Sequence, residues 1–260
     1  MNQPAAIRFV RERGNPSEQA RLAFLLTGTM PSSESMQQFF QDQQEDGGWS
    51  PFWAPGYRGL DATCFCLAQG EQMGIGLNEP NMVQAALFLA QRQHSDGAFE
   101  EDEAVSDLAP PWARPGNLAA QLYLTANCGF WLTFFPQTRA SAQLAARYIH
   151  SFLPPNGHLP TFLHTHWLAA GLFSHLKQIE PAKCLLAYLA NRLPDLSASS
   201  LAWLMVTLRL ANWPATTPLI AQAAALLNQL QQPAGNWQSE DGPEQDVHAT
   251  LEALRAFMFL

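Results

Sequence analysis

The sequence predicts an all-α protein, an (α/α)6 toroid whose six helical hairpins form an inner and an outer ring. Three observations lead there. A spaced glutamine–glycine–aromatic motif recurs along the chain, helical apolar patterns flank each copy, and the second helix of a pair is the more apolar one. Repeats of this kind mark supersecondary units that cannot bury their apolar face alone and stack on their neighbours.

The motif comes first. Gln43-Gln44-Glu45-Asp46-Gly47-Gly48-Trp49 reads Q-x3-G-x-W, Gln93 to Phe99 reads Q-x3-G-x-F, and Gln231 to Trp237 reads Q-x3-G-x-W again. A weaker copy, Leu153 to Leu159, keeps Gly157 and an apolar last residue. Before each copy runs a helical pattern, such as NMVQAALFLAQRQ, and glycine stops it because it readily takes the left-handed conformation of a helix C-terminus. After it comes a loop and a more apolar helix, such as LDATCFCLAQGEQM or DVHATLEALRAFMFL. Two further pairs lack the motif. One is KCLLAYLANRLPDLSASSLAWLMVTLRLA, broken at Leu193-Pro194-Asp195; the other is AAIRFVRERGNPSEQARLAFLLTG, broken at Gly14-Asn15-Pro16. An open solenoid needs polar caps at both ends. The apolar stretch from Arg255 to Leu260 is expected to bury itself against the first repeat instead, closing a ring. No linker divides residues 1–260, so a single domain is expected.

Composition narrows the function. Of the 260 residues 47% are hydrophobic and 14% charged, which suits a large core. The net charge of −8 argues against a nucleic-acid partner. Four cysteines form no CxxC pair, so the expected setting is reduced and cytoplasmic. The N-terminal stretch has no signal-peptide core. Pro115 to Thr138 carries no charge and is long enough to test as a membrane span, but Gln121, Thr125, Asn127 and Thr133 interrupt it, so it reads as a buried inner helix. Peripheral contact is the membrane role that fits.

The Q-x3-G-x-W repeats resemble the QW motifs of squalene-hopene and oxidosqualene cyclases, and the helix pairs resemble those of protein prenyltransferase β subunits. The resemblance to this terpenoid-cyclase and prenyltransferase superfamily covers nearly the whole chain, as repeats. It implies a structural role for the motif's Gln and Trp, which tie outer helices together in the family. In the class II cyclases an Asp-x-Asp-Asp-Thr motif opens an inner helix, and its middle Asp protonates the isoprenoid. Asp246-Val247-His248-Ala249-Thr250 is similar, with His248 in the donor place and Ala249 replacing the last Asp. The same frame gives Gly59-Leu60-Asp61-Ala62-Thr63, which puts Asp61 in the donor place. It gives His164-Thr165-His166-Trp167-Leu168 in the fourth repeat and places Arg114 and Gly116 in the third. Asp61, Arg114, His164, His166, Asp246 and His248 are therefore expected around one mouth.

Protonating an alkene demands a strong acid. Starts of helices favour an ionised Asp and disfavour a protonated His, so His166 and His248 are expected to be neutral bases or hydrogen-bond donors. Asp61 is the better acid, given an apolar setting that holds its proton. The expected catalytic set is Asp61, Asp246, His248 and His166, with His164, Trp167, Trp112 and Arg114 contacting substrate. Competing readings are helix capping by Asp61 and Asp246, core packing by the tryptophans, and a solvated loop for the acidic run from Glu100 to Glu103. No cofactor is called for. Ala62-Thr63-Cys64-Phe65-Cys66-Leu67 resembles the prenyltransferase run His-Thr-Cys-Tyr-Cys-Leu, with Ala62 in place of the zinc-binding His. Another zinc set would need His164, His166, Asp246 and His248 to converge, and magnesium would need the acidic run. The expected function is a single-domain terpene-cyclase-like enzyme working on an isoprenoid or similar apolar chain in a central cavity. The alternative is a non-catalytic toroid that binds an isoprenoid or a protein.

Overall fold

Twelve α-helices and no strand make up the computed structural model, which describes residues 1–260; the single β-bridge pairs Trp49 with Gly59. In chain order they are α1 (Gln3–Arg13), α2 (Pro16–Thr27), α3 (Ser33–Phe40), α4 (Leu60–Gln72), α5 (Pro80–Gln91) and α6 (Leu118–Leu132). There follow α7 (Arg139–Ser151), α8 (Leu163–His175), α9 (Ile179–Ala190), α10 (Ala198–Leu210), α11 (Pro218–Gln229) and α12 (Asp246–Met258). Both pairs without the motif break where expected. Asn15 caps α2 through Glu18 in a reciprocal capping box, which satisfies two backbone N–H groups that have no partner within the helix. A short 3-10 turn at Leu193–Asp195 separates α9 from α10.

Contacts divide the chain into two compact units: Met1–Met36 with Gln72–Gly74 and Leu189–Leu260, and Gln37–Glu71 with Ile75–Tyr188. In the first, α12 packs on α1, α2 and α10. The C-terminal hairpin thus meets the N-terminal one as expected, although Met258 and Leu260 at its end stay exposed. In the second, α6 packs on α5, α7 and α8 and is buried from Leu122 through Leu132, as a helix apolar on every side should be. This is the stretch that resembled a span; no helix is long and apolar enough to cross a membrane.

Each motif turn is held in the same way. Gln43 Nε2 donates to Gly47 O at 2.9 Å and to Asn81 O, at the start of α5, at 2.8 Å. Gln93 does so to Gly97 O and Ser141 O of α7, at 3.0 and 2.9 Å. Gln231 does so to Gly235 O and Asn2 O, beside α1, at 2.8 and 3.1 Å. One side chain therefore bonds its own turn to the start of another outer helix. Glycine is required at the contact: Gly235 has φ 96°, and a Cβ there would lie 2.5 Å from the Ala5 backbone.

The residue that closes each turn is anchored to the next inner helix. Trp49 N donates to Thr63 Oγ1 at 3.1 Å, Phe99 N to Thr125 Oγ1 at 2.9 Å, and Trp237 N to Thr250 Oγ1 at 3.1 Å. Each threonine hydroxyl donates in turn to the carbonyl four residues back, Gly59, Gln121 or Asp246. In the fourth repeat a histidine takes this place: Leu159 N donates to His166 Nε2, and His166 Nδ1 faces Phe162 O, both at 3.1 Å. These anchors define which residues are equivalent.

Candidate functional site

The anchors change the register read from the sequence in two repeats. Thr63 and Thr250 occupy the same place, so Asp61 and His248 are equivalent, as expected. In the fourth repeat the anchor is His166, which makes His164 the equivalent of Asp61. In the third the anchor is Thr125, which puts Tyr123 there. Arg114 is not at a helix start; it is exposed in the loop before α6. His166 is likewise corrected. It is fully buried, both ring nitrogens serve the turn, and its ring stacks on Tyr188 at 4.8 Å. Burial, the largest influence, pushes His166 down to about 4, so it is a neutral structural residue.

Asp61 lies in the first turn of α4. Its Oδ1 accepts from the Tyr123 hydroxyl at 2.7 Å and from Asn127 Nδ2 at 3.3 Å, and its Oδ2 accepts from Trp112 Nε1 at 3.2 Å. Tyr123 and Asn127 stand four residues apart on α6 and so share a face. Burial is the largest influence on this carboxyl and raises its proton affinity; the three donors pull the other way and are outweighed. His164 packs edge-on to Tyr123, with ring centroids 5.5 Å apart, and stacks on Phe162 at 5.8 Å. Burial lowers His164 to about 4 and keeps it neutral. Trp167 packs on His164 but is fully buried, so it supports that ring and presents no surface to a ligand. Trp112 is half-buried and does reach the site.

Two expected residues belong to the first unit. Asp246 accepts from Ser239 N at 2.9 Å and from Asn236 Nδ2 at 3.0 Å, the work of a carboxylate that closes a turn. His248 Nδ1 lies 3.0 Å from Arg21 NH1. Because guanidinium can only donate, His248 accepts there and carries its proton on Nε2. Burial, then Arg21, bring it down to about 4. Arg21 also donates to Glu252 at 2.7 Å, a buried ion pair. Burial alone would raise Glu252; Arg21, His248 and Arg255 together hold it below its ordinary value.

Sequence reasoning missed Glu101. The acidic run read as a solvated loop, yet Glu101 is only 3% exposed. Its carboxylate accepts from Leu60 N at 2.8 and 3.1 Å, from Asp61 N at 3.4 Å and from the Tyr57 hydroxyl at 3.0 Å. It therefore caps α4 from a distant loop. Beside it opens a polar cavity of about 350 Å³ lined by Arg92, His94, Pro115 and the acidic run. The thiols of Cys64 and Cys128 lie 3.7 Å apart, and burial raises both, which makes them poor nucleophiles. No three His, Cys, Asp or Glu side chains are grouped to hold a metal ion.

No protein-family model matches the chain, and no curated protein matches it by sequence. Solved structures do. A protein from Actinoplanes is 19% identical with a TM-score of 0.67, and the match covers 99% of both chains. The type II terpene cyclase MstE from Scytonema, without ligand, is 15% identical with a TM-score of 0.64, over 99% of this chain and 98% of that one. A variant of MstE in complex with its substrate, geranylgeranyl dihydroxybenzoate, gives 15% and 0.63 over 99% and 95%. At such identities the likeness shows the fold: the all-α, terpene-cyclase-like fold of helical hairpins.

Proposed function

We propose that this protein is a single-domain terpene-cyclase-like enzyme in which Asp61 protonates an alkene of an isoprenoid chain. The observation that carries the reading is the Asp61 carboxyl, half-buried and raised in proton affinity among Tyr123, Asn127 and Trp112. Its Oδ1 already receives two donors and Oδ2 one, so the acidic proton belongs on Oδ2. In the step, the alkene π pair forms a new C–H bond with that proton and leaves a carbocation. Asp61 is left as a carboxylate to which all three donors still point, so the developing charge meets preorganised dipoles. Phe65 stands one turn deeper on the same face of α4 and is 50% exposed. Its ring offers the cation a π face, and loss of a proton to a base ends the reaction. The Gln ties at the turns suit the structural role that the QW motifs play in triterpene cyclases. Four free thiols suit the reduced, cytoplasmic setting expected from the sequence.

MstE acts on geranylgeranyl dihydroxybenzoate, which makes prenylated aromatic acids the first substrates to try here, followed by farnesyl and geranylgeranyl diphosphates and squalene. Product analysis should show a cyclised product with the wild type and none with Asp61→Asn, whose melting curve stays close to wild type. An Asp61→Asn variant with undiminished turnover would end the assignment. A binding role is the second reading, because Asp61 has every donor it needs within the protein, as a structural carboxylate would. It is favoured if the wild type binds these compounds without converting them.

A further inference from the structure

We infer that His164 is the base that ends the reaction: it takes the proton that the carbocation loses, and the product is an alkene with only one or two new rings. The inference rests on reading Asp61 as the acid, and it supplies the base which that reading leaves unassigned.

Three consecutive repeats present a carboxyl, a phenol and an imidazole at equivalent places. Asp61, Tyr123 and His164 each lie two residues before the side chain that anchors their turn, Thr63, Thr125 and His166. Tyr123 touches both of the others. Its hydroxyl donates to Asp61 Oδ1 at 2.7 Å, and its ring packs edge-on with His164, centroids 5.5 Å apart. Phe162 stacks on the imidazole and Trp167 packs against it, which holds the ring in place. The base thus stands one side chain away from the acid. A cation that must meet it can move no farther than the first rings closed beside Asp61.

No other side chain around Asp61 combines basicity with exposure. Tyr123, Asn127 and Trp112 are donors to the acid. Glu101 is only 3% exposed, and its carboxylate serves Leu60 N, Asp61 N and the Tyr57 hydroxyl. Cys64 and Cys128 are buried thiols, and His166 spends both ring nitrogens on its turn. His164 is half-buried, and a neutral imidazole always keeps a lone pair on one nitrogen.

An acid and a base in one site must not neutralise each other. Burial raises the proton affinity of Asp61 and brings His164 down to about 4, so both shifts oppose transfer between them before substrate arrives. A carbocation is a different donor, because the hydrogens on its neighbouring carbons are acidic enough for a weak base. In the step, a C–H bond beside the cationic carbon breaks and its electron pair becomes the new π bond. The proton goes to the His164 lone pair. The same order of affinities then favours its return to the Asp61 carboxylate. Substrate and product are isomers, and no co-reactant is consumed.

The test compares the products of wild type and His164→Phe on geranylgeranyl dihydroxybenzoate, geranylgeranyl diphosphate and squalene, by mass spectrometry and NMR. Phe keeps a ring against Tyr123 and removes the base. The wild type should yield a mono- or bicyclic alkene. In the variant that alkene should fall by about a hundredfold, as for loss of a positioned base. Substrate should still be consumed, giving water-captured alcohols or isomeric alkenes instead. His164→Gln should behave alike and replaces the Phe variant if that one does not fold. Native alkene formed at the wild-type rate, or more slowly with no new product, overturns the proposal. So does a wild-type product that is an alcohol or carries more than two new rings, whatever the variants do. Each of these outcomes leaves Asp61 standing as the acid, whereas a wild type that converts none of the three compounds ends both readings.

Discussion

Replacing His166 with Gln should remove part of the protein's sensitivity to acid. The imidazole ionises near 6.5 in an unfolded chain but only at about 4 in its buried place. Below 6.5 the unfolded state therefore binds a proton that the folded state refuses, and stability falls as pH drops towards 4. Between pH 7 and pH 5 this amounts to about 2 kcal/mol for the one residue. His164 and His248 act in the same direction, while Glu101, whose folded value is raised, opposes them. Total acid sensitivity is thus not diagnostic; the difference between wild type and variant is. Gln places Oε1 near the position of Nε2, so Leu159 N keeps its acceptor, and the lost bond to Phe162 O costs on the order of 1 kcal/mol at every pH. Urea unfolding at pH 7 and pH 5 reads both quantities. Parallel losses in wild type and His166→Gln would show that His166 is not held neutral by the fold.

The Arg21–Glu252 pair joins α2 to α12 in the interior. Arg21→Met or Glu252→Leu alone should cost about 3–5 kcal/mol by leaving a buried charge unpaired, and the double replacement should recover much of it; additive losses in denaturant would contradict that account. Gly235→Ala should cost about 2–5 kcal/mol, from the positive φ and the collision with Ala5. A melting temperature unchanged by that substitution would mean that α1 does not lie as close as described.

The hairpins were legible because two signals coincide at all turns but one: an amphipathic run ends, and a glycine follows it, with Pro194 making the break in the exception. Even the motif-free pair at the front announced itself through Gly14, Asn15 and Pro16. Asp61 was legible because Thr63 keeps the spacing of the last repeat. The register slipped where that threonine was disguised. In the fourth repeat His166 does its work, so the frame anchored on the wrong histidine. In the third the anchor lies 26 residues from Phe99, and a frame placed near the motif fell on Arg114. Sliding that frame until it ended on Thr125 would have found Tyr123. Glu101, Arg21 and Glu252 left no such trace. Their partners lie 40 to 231 residues away, and an acidic run or a lone arginine gives no sign of which member turns inward.

The bond between turn and inner helix spans 7, 13, 14 or 26 residues of chain, yet its geometry hardly changes. Both ends of the intervening loop are thus pinned whatever its length. Such a joint tolerates insertion and deletion as a socket tolerates different tools: a loop can grow, shrink or change composition while the helix behind it keeps its register. Trp112 reaches Asp61 from the longest of these loops. New specificities could accordingly be grafted into this scaffold one loop at a time, with the helices left untouched.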